Sequence, residues 1–127
     1  IYSKIEILLE NYIYKFWKNK SIIRKKIEHI KDLGYEICIF GAGHHASSFV
    51  SINDIGNYVD CVFDDNKFKQ DYTLPGSDIP IEPTSKLKLK KNNVYILLTT
   101  NPENEDKIKK LINKYNENTT ITSIFDF

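Results

Sequence analysis

An apolar run that stops at a glycine-rich turn, Glu36-Ile-Cys-Ile-Phe-Gly-Ala-Gly-His-His-Ala46, constrains this chain's fold more than any other stretch. Residues 36–40 have strand character, the next six form a turn, and residues 47–55 read as a helix. The spacing Gly41-x-Gly43-x-x-Ala46 fits the dinucleotide-binding fingerprint with its permitted final alanine. The first glycine turns the chain, the second lets backbone approach a pyrophosphate, and the small third residue lets helix pack on strand. The helix start would then offer unpaired N–H groups and a positive dipole end to an anion. The same glycines would equally serve a tight turn beside an empty crevice.

The rest of the chain repeats the alternation. Tyr58 to Phe63 reads as a second strand with Asp64 and Asp65 at its carboxyl end, and Asp64 lies 23 residues after Gly41. That is where an acidic side chain reaches a ribose or sugar hydroxyl in a doubly wound sheet, although an aspartate there also caps or closes a turn. A polar loop over 66–77 ends in Pro75-Gly76 and leads to Ile79-Pro80-Ile81, which the proline restricts to an edge strand. Leu87 and Leu89 fit a short strand or a turn of helix. Val94 to Leu98 is continuously apolar, as in a central parallel strand buried on both faces. After Thr99, Thr100, Asn101 and Pro102 comes a helix with Ile108, Leu111, Ile112 and Tyr115 on its buried stripe, then a last strand over Thr120 to Phe125.

These elements predict an α/β fold: a small Rossmann-like parallel sheet with helices on both faces, and the glycine-turn strand between the Tyr58 and Val94 strands. Ligands of such sheets bind outside the carboxyl ends. The expected site therefore joins Gly41, Ala42, Gly43, His44 and His45 with Asp64 and Asp65, and Thr99, Thr100 and Asn101 form its other wall.

Apolar residues recur at helical spacing from Ile5 to Phe16, and Ile23, Ile27 and Ile30 resume the pattern after a polar break. One long helix fits, as do two shorter ones with Ser21 capping the second and Gly34 stopping it. Tyr12, Tyr14, Phe16 and Trp17 point in too many directions for one buried stripe. The first helix reads either as an arm that packs on another domain or subunit, including a second copy of the chain, or as an ordinary core helix. The division follows: residues 1–20 an N-terminal helix or arm, residues 21–127 the Rossmann-like domain.

Composition narrows the chemistry. Eighteen basic against seventeen acidic residues leave a net charge of +1, and Arg24 is the only arginine, so nothing recruits nucleic acid or an anionic membrane. Cys38 and Cys61 fall in separate apolar strands and read as buried, reduced thiols, with an inter-strand bridge the other option; no Cys/His spacing suits zinc. No apolar stretch would span a membrane and none resembles a signal peptide, which points to a cytoplasmic protein. The chain begins at Ile1 and lacks methionine, as a fragment or processed chain would. His44 and His45 lack a placed nucleophile and orienting residue, so binding suits them better than catalysis.

Three stretches resemble the C-terminal domain of S-adenosylmethionine-dependent sugar C-methyltransferases: Ile39-Phe-Gly-Ala-Gly-His-His-Ala46, Tyr58-Val-Asp-Cys-Val-Phe-Asp-Asp-Asn66, and above all Lys69-Gln-Asp-Tyr-Thr-Leu-Pro-Gly-Ser-Asp-Ile-Pro-Ile81. The resemblance runs from about residue 21 to the end. It implies a Rossmann-like domain that helps hold a nucleotide diphosphate sugar in deoxysugar biosynthesis, while a methyltransferase domain or partner chain outside this sequence binds S-adenosylmethionine and carries the catalytic residues. The loop residues Lys69, Gln70, Pro75, Gly76 and Ser77 would close over the ligand or dock on that domain. Two departures stand out: the turn lacks the family's lysine, and Asp71 replaces the glycine that usually follows Lys69-Gln70. The turn and the Asp64-Asp65 strand end are also similar to the nucleotide-sugar-binding N-terminal domain of sugar O- and N-acyltransferases. A non-catalytic scaffold domain is the third reading, supported by the aromatic first helix.

Overall fold

The computed structural model describes residues 3–127. One helix, α1 (Lys4–Asp32), opens the chain. Ser3 caps it by accepting the Glu6 N–H at 3.2 Å, the Ser-x-x-Glu spacing of a capping box. Gly34, at φ +91°, ends it in the left-handed conformation that glycine adopts without steric cost. The helix runs through Ser21 unbroken, so of the two sequence readings the single long helix is correct and Ser21 caps nothing.

Five strands follow, β1 (Glu36–Phe40), β2 (Cys61–Phe63), β3 (Ile81–Glu82), β4 (Val94–Leu98) and β5 (Thr119–Ser123), with α2 (His44–Asn53) after β1 and α3 (Glu105–Tyr115) after β4. All pair in parallel in the order β3-β2-β1-β4-β5, so the glycine-turn strand lies between β2 and β4 as expected. Parallel strands need crossovers, and alternate side chains of each strand meet a helix layer on one face or the other. Ile37 and Ile39 face a core shared with Ile27 of α1 and Ala46 and Val50 of α2. Cys38 and Phe40 face the opposite core, with Ile108 and Ile112 of α3. Among the described residues no helix is long and apolar enough to cross a membrane.

Several boundaries differ from the sequence reading, each for a local reason. Gly56–Tyr58 is a 3-10 turn rather than the start of β2. Asp60 sits at the strand's entrance, where its carboxylate accepts the Ile37 N–H at 2.9 Å and pairs with Lys31 at 2.8 Å, and pairing begins one residue later at Cys61 with Cys38. The expected edge strand is displaced to Ile81–Glu82 because Pro80 has no N–H to give; an antiparallel bridge joins Pro80 to Thr73 instead. Residues Thr84–Leu89 form a 3-10 helix that buries Leu87 and leaves Leu89 exposed. Finally, α2 starts at His44, three residues before its predicted start, which puts both histidines in its first turn. Cys38 and Cys61 are buried free thiols with sulfurs 3.4 Å apart.

Candidate functional site

The carboxyl ends of β1, β2 and β4 converge on the glycine turn. Gly41 takes φ +101° and donates its N–H to Phe63 O at 2.8 Å, stitching the turn to the end of β2. A Cβ there would stand 2.8 Å from Thr99 Oγ1 and 3.1 Å from Thr100 Cγ2, so glycine is required both by conformation and by the wall behind it. Thr99 is buried, and its hydroxyl lies 2.9 Å from Phe40 O and 2.8 Å from Gly41 O, clamping the exit of β1 to that of β4.

Gly43 differs from Gly41. Its φ is −97°, and an added Cβ would meet nothing within 4 Å, so open space lies in front of it. It stands at the N-cap of α2, where no side chain caps the helix. The first turn of α2 thus keeps N–H groups that no side chain caps, at the positive end of the helix dipole, an arrangement suited to an anion. Ala46 is buried against the first core, the close helix–strand packing that the third fingerprint position serves. His44 and His45 are exposed beside the turn; His44 Nε2 lies 3.5 Å from Ser48 Oγ, and the His45 ring meets Phe125 edge-on.

Asp64 and Asp65 stand where the sequence placed them, but backbone groups engage both. Asp64 accepts the Ala42 N–H at 2.9 Å through Oδ2 and the Asn66 N–H at 2.8 Å through Oδ1. Asp65 accepts the Thr84 N–H at 2.9 Å and so holds the start of the 3-10 helix. Each carboxylate has further lone pairs, yet its orientation is set by the fold. Of the other wall, Thr100 Oγ1 is buried with no hydrogen-bond partner among the described residues, and Asn101 is exposed at the start of a 3-10 turn.

The loop after β2 folds back onto the turn. Lys69 Nζ donates to Ala42 O at 3.3 Å and lies 4.0 Å from Asp64 Oδ2, while Gln70 Nε2 donates to Asp64 O at 3.0 Å. Lys69 therefore brings to the glycine turn a cation that the turn's own sequence lacks. Asp71 has φ +71°, the left-handed region that glycine favours and aspartate tolerates, so its replacement of the expected glycine preserves the bend. Further along, Gly76 at φ +78° completes a turn in which Ser77 Oγ donates to Leu74 O at 2.8 Å, and the Leu74 N–H donates to Ile79 O at 2.8 Å. Pro75, Gly76 and Ser77 thus shape the loop's base, whereas Lys69 and Gln70 reach the site.

The sequence reading missed one feature. Phe68 and Tyr72, both exposed, line a pocket of about 330 Å³ with Ala42, Lys69, Thr73 and Ile81, directly beside the turn. Two aromatic residues at i and i+4 in an otherwise polar loop were its available signal. A larger open hollow of about 520 Å³ lies at the opposite, amino-terminal side of the sheet, lined by residues that include Asp54, Asp60 and Asp78. Two of its carboxylates are already paired, Asp54 with Arg24 and Asp60 with Lys31, and it does not reach the glycine turn. Among the described residues no group of three or more His, Cys, Asp or Glu is placed to hold a metal.

A protein-family model described as C-methyltransferase C-terminal domain matches residues 6–122. No curated protein matches the chain significantly.

Proposed function

The chain belongs to the C-methyltransferase C-terminal domain family, and from that premise we propose that it is a nucleotide-sugar-binding accessory domain of deoxysugar biosynthesis. It would serve a methyltransferase domain or partner chain in the cytoplasm, and S-adenosylmethionine would be bound by that partner, where it supplies the methyl group. The observation that carries this reading is the uncapped start of α2 behind Gly43, open to solvent and flanked by Lys69 Nζ. A diphosphate placed there would receive first-turn N–H groups on one side and the lysine on the other, with His44 and His45 as further donors. Asp65, which is exposed, and the remaining lone pairs of the half-buried Asp64 are left for sugar or ribose hydroxyls, and Thr99, Thr100 and Asn101 close the far wall. Lys69 and Gln70, at the head of the loop after β2, supply a cover. A family match spanning most of the chain favours this reading over the acyltransferase-like one.

Calorimetric titration with thymidine and uridine diphosphates and their sugars tests the assignment. Micromolar to millimolar binding, about −4 to −8 kcal/mol, is expected. The substitution Gly43→Val should abolish it while thermal unfolding stays cooperative, because the added side chain fills space that backbone contact with a diphosphate needs. Equal binding by wild type and Gly43→Val would place the ligand elsewhere.

A further inference from the structure

Phe68 and Tyr72, in the loop after β2, are exposed and yet held. Phe68 is 91% exposed, more than any other large apolar side chain among the described residues, and Tyr72 is 69% exposed. Their backbone is pinned on both sides. The Phe68 N–H donates to Asn66 Oδ1 at 3.0 Å, the Tyr72 N–H donates to Lys69 O at 3.3 Å, and Tyr72 O accepts the Ile81 N–H at 2.9 Å, which ties the second ring to β3. Two large rings left in water give the fold little of the burial energy that such side chains supply in a core. The hollow of about 330 Å³ that they line falls within the range of small-molecule pockets, about 300–1,000 Å³. Buried Ile81 forms part of its wall, and Lys69 is its one charged lining residue. Ala42 and Lys69 belong both to this hollow and to the glycine turn, since Lys69 Nζ donates to Ala42 O at 3.3 Å. Asp64 joins the same network: its Oδ2 takes the Ala42 N–H at 2.9 Å and stands 4.0 Å from Lys69 Nζ. An anion held by Lys69 at the turn thus has beside it both a carboxylate with spare lone pairs and an aromatic wall.

We propose that this hollow is the nucleobase subsite: the base of a nucleoside diphosphate stacks on Phe68 and Tyr72 while its diphosphate lies between the start of α2 and Lys69. The proposal rests on the nucleotide-sugar reading above and assigns the part of the ligand which that reading leaves unplaced. A nucleoside diphosphate presents, in order, a charged diphosphate, a hydroxylated pentose and a planar base, and the lysine, the carboxylate and the aromatic wall match them one for one. Of the two ends of a nucleotide sugar, the sugar carries hydroxyls and suits carboxylates, whereas the base carries a flat apolar face and suits the rings. Stacking uses a face that every base has, and beyond Lys69 the hollow's side chains offer only the hydroxyls of Tyr72 and Thr73 to read a base edge. The hollow therefore selects for a planar base rather than for one base over another.

Titrating the chain with thymidine diphosphate, uridine diphosphate and inorganic pyrophosphate separates the subsite from the diphosphate site. Both nucleotides should bind on the order of tenfold more tightly than pyrophosphate. Phe68→Ala combined with Tyr72→Ala should bring the nucleotides down to the pyrophosphate level while pyrophosphate binding and the thermal melt stay as in wild type. The same pair of substitutions should abolish the upfield ring-current shift of the base protons seen by NMR with the wild type, and Phe68→Tyr should preserve it. Gly43→Val, by contrast, should remove pyrophosphate and nucleotides together. A wild type that binds pyrophosphate and nucleotides alike would overturn the base subsite and leave the diphosphate at the turn. So would a nucleotide preference that the double substitution does not change, which would free the two rings to dock on the methyltransferase domain. Absence of binding by all three ligands would overturn both readings.

Discussion

The carboxylate of Asp64 accepts the Ala42 N–H at 2.9 Å, so the end of β2 orients the backbone of the turn that follows β1. Its second oxygen holds the Asn66 N–H at 2.8 Å, and the loop bearing Lys69 starts from that bond. Both oxygens act as acceptors. Asp64→Asn offers one oxygen and one NH₂ group and must leave one of the two N–H groups facing a donor. Loss of about 1–3 kcal/mol is expected for Asp64→Asn and Asp64→Ala alike, read as a shift of the urea midpoint with unchanged slope. A stability equal to wild type would show that neither bond matters to the fold.

The two glycines of the turn should respond in opposite ways to one methyl group. Gly41→Ala forces an L-residue to φ +101° and drives Cβ against Thr99 Oγ1, costing about 2 kcal/mol or more. At Gly43 the added methyl meets nothing and φ is ordinary, so Gly43→Ala should change stability by less than about 1 kcal/mol. Thermal melts of both variants show which of the two glycines the fold requires.

This contrast also marks how far the sequence could be read. The alternation of β1, α2, β4 and α3 was visible because buried parallel strands are apolar throughout and Ile108, Leu111, Ile112 and Tyr115 keep a helical period. The glycine spacing located the turn, but no local pattern distinguishes a carboxylate free for a hydroxyl from one holding backbone N–H groups, and Asp64 and Asp65 both hold them. The approach of Lys69 to Ala42 across 27 positions is tertiary, set by the bend at Asp71 and the backbone bridge at Thr73, and no periodicity announces it. The length of α1 was ambiguous for a related reason: the break at Asn19 and Ser21 weakens the stripe without breaking a backbone bond.

Cys38 and Cys61 should resist alkylation in the native state and react on unfolding. Cys38 is held far above the ordinary thiol range, first by its hydrogen bond with Cys61 and then by burial. The folded thiol therefore keeps its proton where the unfolded one releases it, near 9.0. Above that value the unfolded chain binds fewer protons, so this contribution is complete below it and declines as pH rises. Urea midpoints measured between about pH 7 and pH 10.5 should fall more steeply for wild type than for Cys38→Ala. Parallel profiles would remove the thiol as the cause.

Lys69 separates stability from binding. Its ammonium lies 4.0 Å from Asp64 Oδ2 with 41% of the side chain exposed, so the pair contributes little to folding after screening. Beside an uncapped helix start, however, the same charge would meet a bound diphosphate directly, where a charge-assisted hydrogen bond is worth about 1.5–3 kcal/mol. Lys69→Ala should therefore melt close to wild type yet bind nucleoside diphosphates roughly tenfold to a hundredfold more weakly. Lys69→Gln keeps a polar side chain with N–H donors and drops the charge, and it should weaken binding while leaving the loop in place. Raising salt should erode wild-type affinity more than that of either variant, because only the wild type loses a charge–charge contact to screening. If all three proteins bind alike at every salt concentration, the diphosphate does not lie at the glycine turn.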